Sequence, residues 1–370
     1  MSIELEGRRI ALIGGAGFIG HHLALHLAKS GADVHVIDGL SVNHLLHYHS
    51  EYSSPTNREL NLRMLNNRLE LLRKGGIPLH VQDARDYNKL SMMLGTIKPQ
   101  VIVHLAAVAH AGTSNKDPYS TFDHSLRTLE NALDSARNNV EHFIYLSSSM
   151  AYGNFLTEEV SEDHPLQPIG VYGALKLAAE KMVISYQQVF NLTYTIIRPS
   201  ALYGERCVSR RVSQIFIENA LMGKPLRIEG DGCERLDFTY VEDLVQGISL
   251  VIQKPEARNE IFNLTFGASR SVKELVEVIR EYFPDVAVQH VERDKLMPFR
   301  GTLSVKRAID MLGYAPKNPI EVGIPKNIMW YKEFLGEGEE AQSTRRLKTG
   351  GNGQHESPSA KSIATAGSPQ

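Results

Sequence analysis

Short apolar runs alternate with helix-forming segments along more than half of the chain, and this alternation restricts the fold more than any other feature. Six runs rich in β-branched and aromatic residues lie at 9–14, 34–38, 78–81, 101–106, 142–147 and 193–198. Segments with helical apolar spacing lie between them, at 18–30, 86–97, 120–138 and 172–189. Strands that are apolar on both faces need helices on both sides of the sheet. The sequence therefore predicts an α/β fold built on a doubly wound parallel sheet.

The chain is long enough for two domains. Its 370 residues exceed the usual size of a single domain. Beyond the sixth run, further apolar helical segments follow at 211–222, 241–252 and 271–283. Ser271 and Glu274 have the spacing of a capping box, which marks the start of the last of these helices. We therefore expect one domain over 1–204, completed by part of 236–265, and a smaller α/β substrate-binding domain over 205–335.

Two segments lie outside the alternation. Residues 39–78 form a long insertion, whose second half has Leu60, Met64, Leu65, Leu69 and Leu72 at helical spacing. We expect a packed helix there, with a lid or a dimer contact as the alternatives. Residues 336–370 contain almost no large apolar side chains, and we expect a disordered tail because such a segment cannot offset its ordering entropy.

Composition and charge argue against several functions. Forty Lys and Arg residues against 42 Asp and Glu give a formal charge of −2, so there is no overall basic field to attract nucleic acid. Cys207 and Cys233 lack CxxC or Cys/His spacing, which predicts no metal site and a reducing compartment, with the cytoplasm as the expected location. The uncharged segment from Ile10 to Ala28 contains several glycines and histidines, so we do not expect a membrane span.

A glycine-rich loop, GGAGFIG, follows the first apolar run at 14–20. Gly14 permits a tight turn, Gly17 lets the backbone approach a pyrophosphate, and Gly20 lets the next helix pack closely, as in a Rossmann fold. The start of that helix supplies N–H donors for phosphate. Asp38 ends the second run, where a carboxylate would bind an adenosine ribose and repel a 2′-phosphate. The pattern predicts NAD rather than NADP; the alternative is a structural turn with Asp38 solvated.

A tyrosine and a lysine share one face of a predicted helix. Tyr172 and Lys176 are four residues apart, on a helix that follows a loop rich in proline and glycine. In an arbitrary protein this spacing indicates only an amphipathic helix with a surface lysine. Here it follows the glycine loop and the three serines at 147–149, which end the fifth run at the edge where doubly wound sheets bind ligands. The combination predicts a catalytic site.

With these motifs, the chain resembles the extended short-chain dehydrogenase/reductases, the NAD-dependent nucleotide-sugar epimerase/dehydratase family. The resemblance rests on GGAGFIG (14–20), HLAA (104–107), SSSMAYG (147–153), YGALK (172–176) and DFTYVEDL (237–244), and it runs from about residue 10 to residue 335. It implies that Tyr172 is the catalytic acid and base, that Lys176 lowers the pKa of the phenol and holds the nicotinamide ribose, and that Ser148 binds the reacting sugar oxygen.

The resemblance also implies further binding residues. For the cofactor it adds Phe18, Ile19, Asp83, Ala84, Leu105, Ala106, Ala107 and Pro199 to the glycines, Asp38, Tyr172 and Lys176. For the substrate it implies Ser148, Ser149, Ser200, Arg235 and Arg293. The family often has Arg-Asp-Phe where this chain has Leu236-Asp237-Phe238, so Arg235 stands one position before the expected arginine. Arg300 is a second choice for the substrate diphosphate, and for it a surface charge is the favoured interpretation. The resemblance implies a homodimer through the helices near 120–138 and 172–189.

The two residues after Ser148 limit the choice among the reactions of this family. Dehydratases of this family carry an Asp-Glu pair at the positions of Ser149 and Met150, because elimination of water needs a placed acid and base. Inversion at C4 of a UDP-hexose or UDP-hexuronate, through a transient 4-keto sugar, is therefore our main prediction. A 4-keto-sugar reductase or a dehydratase is the alternative, and a redox-sensing binding protein is a third. The base and the sugar stay open. Possible ligands for a carboxylated sugar, each with surface charge as the alternative, are His110, Arg206, Arg210 and Arg211.

Overall fold

Seven parallel strands form the central sheet of the computed structural model, which describes residues 2–42, 45, 57–108 and 111–349, with side chains as far as Gly336. The strands are β1 (Arg9–Ile13), β2 (Asp33–Asp38), β3 (Leu79–Val81), β4 (Val101–His104), β5 (His142–Leu146), β7 (Tyr194–Arg198) and β12 (Glu260–Asn263). Their order is β3-β2-β1-β4-β5-β7-β12, and every neighbouring pair is parallel. The predicted doubly wound parallel sheet is confirmed.

Helices cover both faces of the sheet because the strands are apolar on both sides. In β1, Ile10 and Leu12 belong to one buried cluster, whereas Ala11 and Ile13 belong to the other. The first cluster includes side chains from the helices Phe18–Lys29, Val241–Gln253 and Lys306–Leu312. The second includes side chains from Tyr87–Ile97, Thr128–Ala136 and Gly170–Phe190. The strand order reverses between β1 and β4, and ligands bind in such a sheet at the carboxyl ends of the strands beside this reversal.

Short strand pairs organise the region that follows β7. The parallel pairs are β6 (Glu159–Val160) with β15 (Thr302–Leu303), β8 (Leu202–Tyr203) with β11 (Thr239–Tyr240), and β9 (Leu226–Glu229) with β14 (Val288–Val291). The strands β10 (Arg235–Leu236) and β13 (Arg270–Ser271) are antiparallel. The helices Val212–Leu221 and Val272–Arg280 pack against each other, and Ser271 caps the second of them with the predicted capping box.

Two compact units are present, Met1–Asn327 and Ile328–Gln370, and the boundary predicted near residue 204 falls inside the first. The insertion forms the helix Arg58–Lys74, which buries Met64, Leu65 and Leu72 as expected of a packed helix. The helix Ile320–Thr349 continues past residue 336, where the sequence predicts a disordered tail to begin, and residues 350–370 lie outside the described part. Within the described ranges, no helix combines the length and the apolar character that a membrane span needs.

Smaller helical segments complete the fold. The helices Ala111–Lys116 and Pro118–Phe122 precede Thr128–Ala136, and a wider turn at Asp123–Arg127 joins the last two. Single 3-10 turns lie at Ser149–Ala151 and Pro255–Ala257. The first of these turns lies two residues after β5, at the carboxyl edge of the sheet; it contains Ser149, and Ser148 is its N-cap.

Candidate active site

The glycine loop turns sharply between β1 and the helix Phe18–Lys29. Gly14 has a φ of 79°, and a Cβ there would lie 2.6 Å from the backbone nitrogen of Ala106. A Cβ on Gly20 would lie 2.5 Å from the Cα of Gly15. Only glycine therefore allows the loop to approach the end of β4 and the helix to approach the loop. The helix begins directly after Gly17, so its N-terminal N–H groups lie at the carboxyl edge of the sheet, as phosphate binding requires.

Asp38 is held beside this loop by two backbone hydrogen bonds. Its Oδ2 accepts from the N–H of Ala16 at 3.0 Å, and its Oδ1 accepts from the N–H of Leu40 at 2.8 Å. Burial raises the pKa of Asp38, and these two hydrogen bonds oppose the rise. The carboxylate is thus fixed at the end of β2, next to the loop, where it can accept a ribose hydroxyl.

One cavity runs along this edge of the sheet. Eleven residues predicted to bind the cofactor line it: Gly14, Gly17, Phe18, Ile19, Gly20, Asp38, Asp83, Ala84, Leu105, Ala106 and Ala107. The carboxylate of Asp83 also pairs with Arg85 at 2.6 Å, which lowers the pKa of Asp83. Pro199 lies at the end of β7, where its carbonyl accepts the N–H of Ser149 at 2.9 Å. The residues present fit a dinucleotide, because the loop, the helix start and a ribose acceptor meet in one cavity.

Tyr172 and Lys176 project from the first two turns of the helix Gly170–Phe190. The Nζ of Lys176 lies 6.0 Å from the centre of the Tyr172 ring. It donates to the carbonyl of Leu146 at 2.6 Å and to the hydroxyl of Tyr145 at 3.2 Å, so it is fixed at the end of β5. Burial lowers the pKa of Lys176 to about 7. The predicted tyrosine and lysine therefore lie together at the carboxyl edge of the sheet.

Ser148 lies beside the Tyr172 phenol, and its hydroxyl acts to lower the pKa of the phenol. Its Oγ also accepts from the N–H of Met150 at 3.2 Å and so caps the turn that follows β5. Burial raises the pKa of Tyr172, whereas the charge of Arg211 and the hydroxyl of Ser148 lower it. The buried hydroxyls of Ser149 and Ser200 lie 3.2 Å apart. Of the hydroxyl groups expected to touch the sugar, Ser148 thus acts on the phenol, and Ser149 and Ser200 form a pair of their own.

A buried ion pair lies behind Lys176. Arg198 at the end of β7 donates to both carboxylate oxygens of Glu180, at 3.0 and 2.7 Å, and both side chains are 2% exposed. Ser147 donates to the same carboxylate at 2.5 Å. Glu180 is one helical turn beyond Lys176, and its charge raises the pKa of that lysine against the effect of burial. The pair ties the helix that carries Tyr172 and Lys176 to the ends of β5 and β7.

The arginines predicted for the substrate occupy different surroundings. Arg235 is exposed and donates to the hydroxyl and to the carbonyl of Ser269. Arg293 stacks 4.1 Å from the centre of the Phe299 ring, and its guanidinium lies 3.5 Å from Glu234. Arg300 is half-buried, and its Nε is buried without a hydrogen-bond partner among the described residues, so it differs from the exposed charge that the sequence favours. Burial lowers its pKa, the charge of Glu234 opposes this, and the charges of Arg211 and Arg293 add to the lowering.

Two arginines line the cavity without having been assigned to it from the sequence. Arg68 was not identified, and Arg211 was left with a surface charge as the alternative. Arg68, from the insertion helix, is 1% exposed, lines the cavity and donates to the carbonyl of Arg206. Arg211 also lines the cavity.

The other candidate ligands for a carboxylated sugar lie elsewhere. Arg206 donates to His21, whose ring is hydrogen-bonded to the carbonyl of Gly17. The structure does not place Arg210 in the cavity, since it is exposed, and His110 lies outside the described residues.

Comparison with known proteins agrees with this geometry. Residues 10–265 match the NAD dependent epimerase/dehydratase family. The chain belongs to this family. A protein of Bacillus subtilis named as an uncharacterized UDP-glucose epimerase is 31% identical over 337 residues, which cover 90% of this chain and 100% of that protein. A dTDP-D-glucose 4,6-dehydratase of Mus musculus is 27% identical, with 88% and 89% of the two chains covered.

A solved structure of the same fold comes from Thermotoga maritima. It is a UDP-glucose 4-epimerase with UDP-glucose, is 26% identical to this chain and has a TM-score of 0.77. The similarity covers 88% of this chain and 99% of that one. The fold of the central sheet is thus that of this family. Arg68 could not have been found from the family motifs, because it lies in an insertion that carries none of them.

Proposed function

We propose that this member of the epimerase/dehydratase family is an NAD-dependent 4-epimerase of a nucleotide sugar, most simply a UDP-sugar. The observation that carries the proposal is the position of the Tyr172 ring, whose centre lies 6.0 Å from the Lys176 Nζ, beside a cavity that fits a dinucleotide. Bound NAD would supply the acceptor and the donor of a hydride at C4 of the sugar. The chain itself then has to move only one proton, at O4.

Tyr172 is the residue proposed to move that proton. Its Oη would accept the O4 proton when the sugar is oxidised and return it when the keto group is reduced. Burial alone keeps the phenol protonated, so nearby cations have to stabilise the phenolate. Lys176 and Arg211 are the cations near the ring. Ser148 would orient O4 through its hydroxyl.

The two residues after Ser148 support epimerisation over elimination of water. The Ser149 hydroxyl hydrogen-bonds to Ser200, and Met150 is a buried apolar side chain. Neither can serve as the carboxyl acid or base that elimination needs, and such groups typically contribute about 10²- to 10⁴-fold to the rate. A keto intermediate in this site therefore lacks a route to dehydration and is reduced again.

Further assignments complete the proposal. We assign the nucleotide to the region 205–335 and the diphosphate to Arg293 and Arg300, since diphosphates suit paired guanidinium groups. We also propose a homodimer that packs through the helices that carry the exposed Tyr119, Val189 and Phe190. The free cysteines Cys207 and Cys233 favour a reducing compartment such as the cytoplasm.

The test is to incubate the purified protein with NAD and a panel of UDP-hexoses and UDP-hexuronates and to follow the sugars by NMR. We expect inversion at C4 without net consumption of NAD. Tyr172→Phe should lose at least about 10³-fold in kcat and keep its affinity for NAD. Tyr282→Phe, which removes an exposed phenol, is the control. Release of a 4-keto-6-deoxy sugar, or full activity of Tyr172→Phe, would overturn the proposal.

A further inference from the structure

The 204–211 loop, which follows β8, forms part of the wall of the cofactor cavity. Gly17 of the glycine loop lines the same cavity, and three residues of the 204–211 loop line it as well: Val208, Ser209 and Arg211. Within the loop, Arg206 has a φ of 60°, a left-handed backbone conformation that residues other than glycine rarely adopt. Such a conformation persists only where the surrounding structure holds it. The contacts that hold Arg206 therefore help to set the position of this wall.

Two helices hold Arg206 and the residue before it. Arg68 of the insertion helix donates to the carbonyl of Arg206, through Nε at 3.1 Å and also through Nη2. The Nε of Arg206 donates in turn to the Nε2 of His21, at 3.1 Å, on the helix that follows the glycine loop. On the same helix, the Nε2 of His22 is hydrogen-bonded to the carbonyl of Glu205 at 3.1 Å. The 204–211 loop is thus fastened both to the insertion and to the helix that begins the dinucleotide site.

The two partners of His21 restrict its ring to one neutral tautomer. Its Nδ1 lies 2.9 Å from the carbonyl of Gly17, which can only accept, so Nδ1 carries the proton. Its Nε2 faces an N–H of Arg206, which can only donate, so Nε2 is the acceptor. The ring is completely buried, and burial lowers its pKa well below the usual value, although the hydrogen bond to Gly17 opposes this. His21 therefore joins the glycine loop to the 204–211 loop through both ring nitrogens.

The position of His21 separates it from the residues that would touch the cofactor. Arg68 lines the cavity, whereas His21 and Arg206 are not among the described residues that line it. An effect of the hydrogen bond between His21 and Arg206 on the cofactor would therefore pass through the 204–211 loop. Arg68 offers no such separation, because its guanidinium could also touch the cofactor directly.

We propose that His21 is a positioning residue for the cofactor: its hydrogen bond with Arg206 holds the 204–211 loop against the glycine loop, and this contact slows the release of bound NAD. The inference goes beyond the proposed function, because it does not depend on which sugar reaction the protein performs. Slow release suits a reaction that returns the hydride to the sugar, since such a reaction needs no exchange of cofactor between turnovers.

The experiment measures the dissociation rate of NADH. Protein loaded with NADH is mixed with an excess of NAD, and the loss of NADH fluorescence is followed. In His21→Asn the amide can replace Nδ1 but does not reach the position of Nε2, so the hydrogen bond with Arg206 is lost. We expect this variant to release NADH about 10- to 100-fold faster, the range for a hydrogen bond to a charged group. His26→Asn, on the exposed face of the same helix, is the matched control and should release NADH at the wild-type rate.

A conservative variant distinguishes positioning from a general effect of losing the ring. In His21→Gln the amide reaches the position of Nε2, and its oxygen can accept from Arg206. We expect this variant to stay within about 3-fold of the wild-type dissociation rate, because the hydrogen bond to the charged group is kept. Equally fast release from His21→Asn and His21→Gln would contradict the proposed role of the hydrogen bond.

A second variant tests the same hydrogen bond from the side of the loop. Arg206→Met removes the guanidinium and should release NADH as fast as His21→Asn. Arg210→Met is its matched control, because Arg210 also has a left-handed conformation, with a φ of 52°, but is exposed. The double variant His21→Asn/Arg206→Met should release NADH no faster than either single variant, since both changes break one interaction.

Two further results would overturn the inference. One is a wild-type dissociation rate in Arg206→Met, which would show that the hydrogen bond does not retain the cofactor. The other is a double variant whose effect is the product of the two single effects, which would show that His21 and Arg206 act independently. Neither result bears on the epimerase proposal, because the release of NADH is measured without a sugar. A failure to invert C4 would likewise leave this inference standing.

Discussion

Gly173 packs directly against the backbone carbonyl of Met150. A Cβ on Gly173 would lie 2.6 Å from that oxygen and 3.0 Å from the Cβ of Pro168. The glycine therefore lets the helix Gly170–Phe190 approach the turn after β5, and this approach sets the distance between Tyr172 and Ser148. Because the opposing atom belongs to the backbone, it cannot move aside as the end of a flexible side chain could. The position next to the catalytic tyrosine is thus a packing position as well as part of a motif.

Gly173→Ala should lower kcat by about 10- to 100-fold, because an added methyl group would move the tyrosine away from the serine and from the sugar. Affinity for NAD should change little, since the glycine loop lies elsewhere. The control is Gly95→Ala in the helix Tyr87–Ile97, where a Cβ would meet no atom within 4 Å. That variant should keep full activity and gain about 0.5 to 1 kcal/mol in unfolding free energy. Unchanged kcat in Gly173→Ala would show that the close packing does not position the phenol.

The pair Glu180–Arg198 should be a main contributor to the stability of the site. Glu180→Gln leaves the buried guanidinium of Arg198 without its counter-ion, and we expect a loss of about 3 kcal/mol in unfolding free energy, measured in urea. Glu70 and Arg73 form an ion pair of the same length, 2.7 Å, but their side chains are 40% and 73% exposed. Glu70→Gln should therefore leave stability unchanged within error. Equal effects of the two substitutions would mean that burial does not determine the strength of the pair.

Much of the architecture could be predicted because it is encoded locally. The six apolar runs correspond to β1 to β5 and β7, since strands buried on both faces need continuous apolar residues. The predicted helix 172–189 is Gly170–Phe190. The pair β6 and β15 could not be predicted, because strands of two residues have no periodicity. The strand β12 completes the sheet beside β7 from a position more than sixty residues later in the chain.

Site residues could be predicted where a sequence motif determines their position. They could not be predicted where their role depends only on the charges around them in the folded protein. Gly14 follows β1 and Asp38 is the last residue of β2, so their positions depend on the sheet alone. Arg211 reaches the cavity from a loop whose path depends on long-range packing, and Arg300 also lies in a loop. A sequence gives no measure of whether such an arginine has a carboxylate partner. For this reason the sequence favours a surface charge for Arg300 and leaves a surface charge as the alternative for Arg211.

Asp38 should control the choice of cofactor. Its carboxylate is fixed beside the glycine loop, where it would repel a 2′-phosphate, so Asp38→Asn should weaken NADH binding about 10-fold and weaken NADPH binding less. Fluorescence titration of both dinucleotides measures the ratio. Asp33→Asn, at the exposed start of the same strand, is the control and should leave both affinities unchanged. An unchanged ratio in Asp38→Asn would remove this carboxylate from cofactor selection.

Lys176 should make stability depend on pH in a defined window. Burial lowers its pKa from 10.5 to about 7, so between these values the unfolded chain binds a proton that the folded chain does not. Stability from this group therefore rises with pH above 7, by up to about 1.4 kcal/mol per pH unit, and is constant below 7, where both states are protonated. Urea unfolding of protein freed of NAD, at pH 6 to 9, measures this dependence.

The comparison with Lys176→Met isolates the contribution of this lysine. The difference in unfolding free energy between wild type and Lys176→Met should be constant up to pH 7 and then shift in favour of the wild type. Lys181→Met, on the exposed face of the same helix, controls for the loss of a lysine side chain. A difference that stays constant across the whole range would show that Lys176 keeps its proton when the protein folds.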